Sequence, residues 1–152
     1  AAISRAWSGG LPSALIVEAV ERLGARRIGH GTSLAASREA RELMKAMGIA
    51  IECCPVSNDC MGFVAVAKHP LKVLLDEGLM ASLATDDPLM FGPWTVRETF
   101  NAIAGPLSLG TTDLLRLTRN GIESAFVTKE RREVLRHQLA AATTGGVSSP
   151  SV

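Results

Sequence analysis

Long apolar runs and an excess of charge of one sign are both missing from this sequence. No apolar run approaches the roughly 20 residues that a membrane-spanning helix needs. The first residues, AAISRAWSGG, lack the basic start and the apolar centre of a secretion signal. The formal net charge is only +1, and acidic and basic residues are mixed along the chain. These absences argue against a membrane or nucleic-acid partner, and they make the cytoplasm the expected location.

Cysteine is also scarce, and its distribution argues against a disulfide framework. The three cysteines, Cys53, Cys54 and Cys60, are an odd number and lie within one short segment. Such usage is typical of reduced thiols. What the sequence does contain is enough apolar material for one folded domain, since 47% of its 152 residues are hydrophobic and 20% are charged.

Three short apolar segments are predicted to form parallel β-strands. They are RRIGH (26–30), IAIECC (49–54) and LMASLA (79–84). Each segment is uninterrupted rather than alternating, as expected for parallel strands that are covered on both faces.

Helical patterns precede, separate and follow these strands. Apolar residues recur every three or four positions after Pro12, Ser37 and Pro70, and a glycine ends each stretch. Further helical stretches are predicted over 95–104, 111–125 and 128–141. Strands about 25 to 30 residues apart with helices between them indicate consecutive βα units, so the predicted class is α/β, either a TIM barrel or a doubly wound sheet.

Polar residues follow each predicted strand at the point where it ends. His30 lies between two glycines after the first strand, Ser57 and Asn58 follow the second, and Asp86 and Asp87 follow the third. Because the carboxyl-end loops of parallel strands share one face, we expect these residues to converge on one site.

The chemistry of these residues allows two interpretations. An aspartate and a histidine from separate strand ends suit a zinc site that activates water, with a second carboxylate to receive or orient a proton. A hydrogen-bonded core histidine and an aspartate that caps a turn before proline also explain the pattern. The spacing alone leaves both interpretations open.

Several longer motifs carry a resemblance to a known family. They are RIGHGTSL, IECCPVSN, HPLKVLLDEGL and SLATDDPLMFG, followed by NGIESAF and KERREVL. In this order and at these separations they resemble the C-terminal half of the adenosine deaminase family of zinc-dependent amidohydrolases, over about residues 11–140. The resemblance implies the C-terminal part of a TIM-type (βα)8 barrel. Strands six to eight and the closing helices would occupy residues 1–141, and a disordered tail would occupy 142–152.

The resemblance also implies a reaction and roles for three residues. The family hydrolyses the exocyclic amine of a purine nucleoside, giving an inosine-type product and ammonia, with one zinc ion as cofactor. Asp86 matches the carboxylate that binds zinc, and Asp87 matches the acid that contacts a purine ring nitrogen. His30 matches the histidine that holds the attacking water and helps to deprotonate it. The implied partner is therefore a small purine nucleoside, and the oligomeric state is left unknown.

The chain departs from the family pattern before the first strand. A HAGE segment and a pair of histidines that bind zinc have no counterpart, since no histidine precedes His30 and no glutamate precedes Glu18. The chain also begins at Ala1 without Met, so we expect a fragment that lacks the first half of the barrel. The alternatives are a non-catalytic open βα domain that serves as a binding module, or a deaminase of adenine or of a modified adenine nucleoside.

The remaining histidines, cysteines and buried acids are predicted to have mainly structural roles. Cys53, Cys54 or Cys60 could replace a zinc ligand. Because side chains alternate along a strand, however, only one of Cys53 and Cys54 would point inward. His69 is expected to cap or pack at a helix start, and His137 to lie on a solvated face. Glu52, inside an apolar strand, needs a partner such as Arg26 or Arg27.

Overall fold

The sheet of this protein has three parallel strands, and the computed structural model describes residues 12–144. The strands are β1 (Arg27–Gly29), β2 (Ala50–Cys53) and β3 (Met80–Leu83), hydrogen-bonded in the order β1-β2-β3. Ile28 is opposite Ile51, and Ile51 is opposite Ala81. The three predicted strands are confirmed, and each is shorter at its ends than its apolar segment.

Eight α-helices of the described part surround and follow the sheet. They are α1 (Ser13–Glu21), α2 (Arg38–Ala46), α3 (Pro55–Cys60), α4 (Leu71–Asp76), α5 (Pro88–Phe91), α6 (Val96–Ala104), α7 (Thr111–Ser124) and α8 (Lys129–Thr144). Short 3-10 helices span Thr32–Ala36 and Val66–Lys68. Between residues 12 and 144 no helix is both long and apolar enough to cross a membrane.

Local signals fix several helix ends. Ser37 caps α2, because its side chain accepts a hydrogen bond from the Ala40 N–H at 3.2 Å. Thr95 and Glu98 form a reciprocal capping box at the start of α6. Helix α8 continues to Thr144, three residues beyond the predicted domain end at 141. The segments 1–11 and 145–152, with most of the predicted tail, lie outside the described residues.

The core lies between the strands and the helices that cover them. Ile28, Ile51 and Ala81, one from each strand, are fully buried. The helices contribute further fully buried side chains: Ile16 from α1, Met44 from α2, and Leu71, Leu74 and Leu75 from α4. Burying a side chain of this size contributes about 1.5–3 kcal/mol, so these layers hold the strand ends in fixed positions.

Charged and polar groups tie the outer strands to neighbouring elements. Arg27 on β1 forms an ion pair with Glu52 on β2 at 2.7 Å, which confirms the predicted partner of that glutamate. The Arg27 guanidinium also lies 4.1 Å from the centre of the Phe126 ring. At the other edge, Asn120 on α7 donates a hydrogen bond to the Ala81 carbonyl of β3 at 2.8 Å.

Gly31, which follows β1, has no space for a side chain. Its φ is +64°, and a Cβ atom there would lie 2.6 Å from Cγ2 of Ile51. We expect Gly31→Ala to lower the free energy of unfolding by about 1–2 kcal/mol through backbone strain, and by about 1–3 kcal/mol more through overpacking. Urea unfolding measures the change.

Gly48 provides the matched control for that substitution. Its φ is +62°, but a Cβ atom there would have no neighbour within 4 Å. Gly48→Ala should therefore cost only the backbone term of about 1–2 kcal/mol. Equal losses in the two variants would show that the contact with Ile51 is not the reason that residue 31 is glycine.

Candidate active site

His30 and Asp86 follow β1 and β3, and both have an unusual backbone conformation. Their φ angles are +60° and +63°, in the left-handed region. Residues other than glycine rarely adopt this conformation, and those that do are concentrated at functional sites. Gly31 continues the left-handed turn directly after His30, with φ +64°. The two residues that the sequence singled out are therefore among the three described non-glycine residues with positive φ, the third being Ser108 at +52°.

The side chains of His30 and Asp86 meet at the carboxyl end of the sheet. Nε2 of His30 lies 3.7 Å from Oδ2 of Asp86. The two side chains are 17% and 30% exposed, so the pair is partly sheltered but open to a ligand. The predicted convergence of these strand ends is present in the structure. The separation is too long for a direct hydrogen bond between the two groups.

Helix α3 supplies a buried polar residue to each member of this pair. Ser57 Oγ donates a hydrogen bond to Oδ2 of Asp86 at 2.7 Å. Oδ1 of Asn58 lies 3.2 Å from Nδ1 of His30. Both α3 residues are almost fully buried. Helix α3 starts directly after β2, with Pro55 in its first turn, so the end of β2 places both side chains between the other two strand ends.

Cys54 joins His30 and Asp86 in a group that fits a metal ion. One possible ligand atom from each of the three residues lies within 4.8 Å of the other two. Imidazole, carboxylate and thiolate are all zinc ligands. Burial, followed by the charges of Asp86 and Glu52, raises the pKa of the Cys54 thiol to about 12. The structure brings Cys54 to the site, whereas Cys53 is buried in the core and Cys60 is exposed.

Comparison with known proteins identifies the family. A family model described as adenosine deaminase matches residues 8–142. This chain belongs to the adenosine deaminase family. The predicted resemblance is thereby confirmed.

Relatives of the adenosine deaminase family match this chain over part of their own length. The chain is 40% identical over 129 residues to an adenine deaminase of Rhodopseudomonas palustris, covering 84% of this chain and 37% of the relative. It is 37% identical over 128 residues to an adenosine deaminase of Salmonella typhi, covering 84% of this chain and 38% of the relative. The chain thus spans less than two-fifths of the length of these curated relatives.

Solved structures of related proteins have the same fold over most of the chain. The crystal structure of an adenine deaminase from Arthrobacter aurescens matches with a TM-score of 0.83 at 28% identity, covering 89% of this chain and 41% of that one. An amidohydrolase from Burkholderia ambifaria with bound Zn matches with a TM-score of 0.78 at 22% identity, covering 88% and 38%. The latter shows the shared fold alone. The prediction of a partial TIM-type barrel is confirmed.

Asp87, the second acid of the pair in this adenosine deaminase family member, caps a helix. Its Oδ1 accepts a hydrogen bond from the Leu89 N–H at 2.9 Å, at the start of α5. The two neighbouring aspartates therefore have different contacts: Asp86 lies beside His30 and Ser57, whereas Asp87 caps the start of α5. The predicted contact of Asp87 with a purine nitrogen stays a prediction.

His69 takes the structural position that the sequence predicts. Its Nδ1 accepts a hydrogen bond from the Leu71 N–H at 3.2 Å where α4 begins, and the residue is only 3% exposed. Burial, followed by repulsion from His30, lowers the pKa of His69 to about 4. The sequence does not reveal this electrostatic link to the site. His137 lies on an exposed helix face, as predicted, with its side chain 78% exposed.

The lowered pKa of His69 predicts a loss of stability in mild acid. In the unfolded chain this imidazole takes up a proton near pH 6.5, whereas in the folded chain it does so only near pH 4. The unfolded state therefore binds more protons between these values, and stability falls by about 2–3 kcal/mol as the pH drops from 6.5 to 4. Denaturant unfolding at a series of pH values measures the loss.

His69→Asn isolates the contribution of the imidazole. Asparagine keeps an acceptor for the Leu71 N–H but does not titrate, so the variant should lose less stability over the same pH interval. His137→Asn, at an exposed position, is the control and should follow the parent protein. Parallel pH profiles for the parent and His69→Asn would contradict the expectation.

Proposed function

We propose that this chain carries the part of a zinc-dependent purine deaminase that holds the metal and handles the attacking water. The reaction adds water to adenosine and releases inosine and ammonia, with the cytoplasm as the expected location. The observation that carries the proposal is the 3.7 Å approach of His30 Nε2 to Asp86 Oδ2 at two separate strand ends. Relatives named as adenosine and adenine deaminases support this reaction class.

Asp86 is the carboxylate that would bind the zinc ion. Its Oδ2 already accepts a hydrogen bond from the buried Ser57, and such partners orient carboxylate ligands. Cys54 is the other candidate donor nearby; burial raises the pKa of its thiol in the metal-free chain, so this thiol would have to lose a proton to bind the metal, whereas a carboxylate would not. The donor set therefore favours Asp86. When bound, zinc supplies positive charge that makes water more acidic.

His30 would accept a proton from the attacking water. Its side chain is held between Asn58 on one nitrogen and the Asp86 carboxylate near the other. Histidine suits this task because an imidazole side chain can accept and release a proton at neutral pH. Asp87, at the start of α5, would contact a ring nitrogen of the purine, as the family resemblance implies.

Adenine is the second candidate substrate. Two of the proteins similar to this chain, from Rhodopseudomonas palustris and Arthrobacter aurescens, are named adenine deaminases. A modified adenine nucleoside is a third. All three candidate substrates carry an exocyclic amine on the purine ring. The site described here would therefore act on the ring carbon that bears this amine in each of them.

An assay of the released amine tests the proposal: ammonia is the product expected from adenosine or adenine, and methylamine from an N6-methylated nucleoside. Adenosine, adenine and an N6-methylated adenine nucleoside are supplied in parallel, both to the chain itself and to the longest protein that its gene encodes. Metal content is measured by mass spectrometry on the same samples. In the longer protein we expect about one zinc per molecule, as in catalytic zinc sites, and ammonia from adenosine.

The rival function is a non-catalytic βα module that binds or assembles. Zinc-free and inactive preparations of the longer protein would support this rival and overturn the proposal. Ammonia from adenine but not from adenosine would retain the reaction class and replace the substrate.

A further inference from the structure

We infer that Asn58 is a positioning residue that determines which nitrogen of His30 carries the proton. The catalytic meaning of this inference rests on the proposed deaminase function. The proton position itself is a property of the folded chain and can be measured without any activity.

The hydrogen bond between the two residues sets the tautomer. Oδ1 of Asn58 lies 3.2 Å from Nδ1 of His30. An amide oxygen only accepts hydrogen bonds, so Nδ1 must be the donor and must carry a proton. In a neutral imidazole the other nitrogen, Nε2, then has a free lone pair. That lone pair is directed to the side where Asp86 lies at 3.7 Å.

Asn58 is held firmly enough to impose this preference. The residue is 1% exposed. Its N–H donates to the Cys54 carbonyl at 3.0 Å, and its own carbonyl accepts from the N–H groups of Phe63 and Val64 at 2.9 and 3.3 Å. The adjacent residue, Ser57, holds Asp86. One rigid turn thus orients both members of the site, the imidazole through Asn58 and the carboxylate through Ser57.

The opposite tautomer would disable His30 as a proton acceptor. With the proton on Nε2, that nitrogen would be a donor toward Asp86, and no lone pair would face the site. The 3.7 Å separation is longer than such a hydrogen bond would be. Asn58 therefore decides whether His30 can receive a proton from water.

Nitrogen-15 NMR of the histidine side chains tests the inference on the metal-free chain. Long-range proton–nitrogen spectra are recorded at about pH 9, where imidazole groups are neutral. The chain has only three histidines, so the signals are few. His69 is an internal reference of the opposite kind, because its Nδ1 accepts from the Leu71 N–H and its proton must lie on Nε2. We expect the proton of His30 on Nδ1, and a proton on its Nε2 would overturn the inference.

Asn58→Leu removes the acceptor while keeping a similar volume. Nδ2 of Asn58 is buried without a hydrogen-bond partner in the described structure, so its loss offsets part of the lost hydrogen bond and the variant should fold. The proton of His30 should move toward Nε2, and the His69 signals should stay unchanged. Asn101→Leu, at an exposed position on α6, is the matched control. An unchanged His30 pattern in Asn58→Leu would also overturn the inference.

Kinetics separate this inference from the proposed function. In the active longer protein, Asn58→Leu should lower kcat about 10- to 100-fold with little change in KM, because substrate contacts are retained. An inactive parent protein with the proton of His30 on Nδ1 would refute the deaminase proposal and leave the role of Asn58 intact. An active parent protein with the proton of His30 on Nε2 would support the deaminase proposal and refute the role of Asn58.

Discussion

Asp86→Ala is expected to remove both bound zinc and deaminase activity. Asp86 is the carboxylate of the group formed with His30 and Cys54, so its loss leaves the metal without its anionic oxygen ligand. Charge stabilisation by a bound metal contributes several kcal/mol to a reaction of this kind, which corresponds to a fall in kcat/KM of about a thousandfold or more. Metal analysis and steady-state kinetics on the longer protein measure both effects.

Two further variants separate metal loss from misfolding. Alanine at a φ of +63° adds backbone strain, whereas asparagine tolerates this conformation and is a poor zinc ligand. Asp86→Asn should therefore fold like the parent and still lose zinc. Asp59→Ala, which removes an exposed carboxylate at the end of α3, should retain both zinc and activity. Unchanged turnover in a zinc-loaded Asp86→Ala protein would refute the assignment.

His30→Ala is expected to retain zinc and to lose rate. In the proposed reaction His30 accepts a proton and does not bind the metal, so kcat should fall about 100- to 10,000-fold while zinc content stays near that of the parent. The comparison of metal content with kcat is the measurement. His30→Asn repeats the test with a residue that suits the left-handed backbone of this position.

The control for His30→Ala is another histidine of the same chain. His137 is exposed on α8, and His137→Ala should leave both zinc content and kcat unchanged. Loss of zinc from His30→Ala in parallel with Asp86→Ala would show that His30 is a metal ligand and would contradict the role of proton acceptor.

The strands and the place of the site could be predicted from the sequence. Each strand lies in a short, mainly apolar segment without strict alternation, and Ile28, Ile51 and Ala81 are buried as expected for strands that are covered on both faces. Parallel strands that follow one another must end on one side, which brings His30 and Asp86 together without any knowledge of side-chain contacts. Periodicity and topology were sufficient for these features.

The choice between neighbouring residues could not be predicted in the same way. Strand alternation does not decide between Cys53 and Cys54, because Cys54 already lies outside β2, with φ −122° and ψ 67°. His30 and Asn58 are 28 positions apart in the sequence, and they meet only because α3 is packed beside the end of β1. Such contacts depend on the packed structure, and local sequence patterns carry no signal for them.

The left-handed conformation at His30 and Asp86 has a consequence for natural variation. A β-branched side chain is strongly disfavoured at these φ angles, so valine, isoleucine and threonine would damage folding before any chemistry is affected. We therefore expect tolerated substitutions at His30 and Asp86 to be few, chiefly glycine and asparagine. The left-handed backbone at these two positions would therefore be retained even in a descendant whose side chains there no longer bind a ligand.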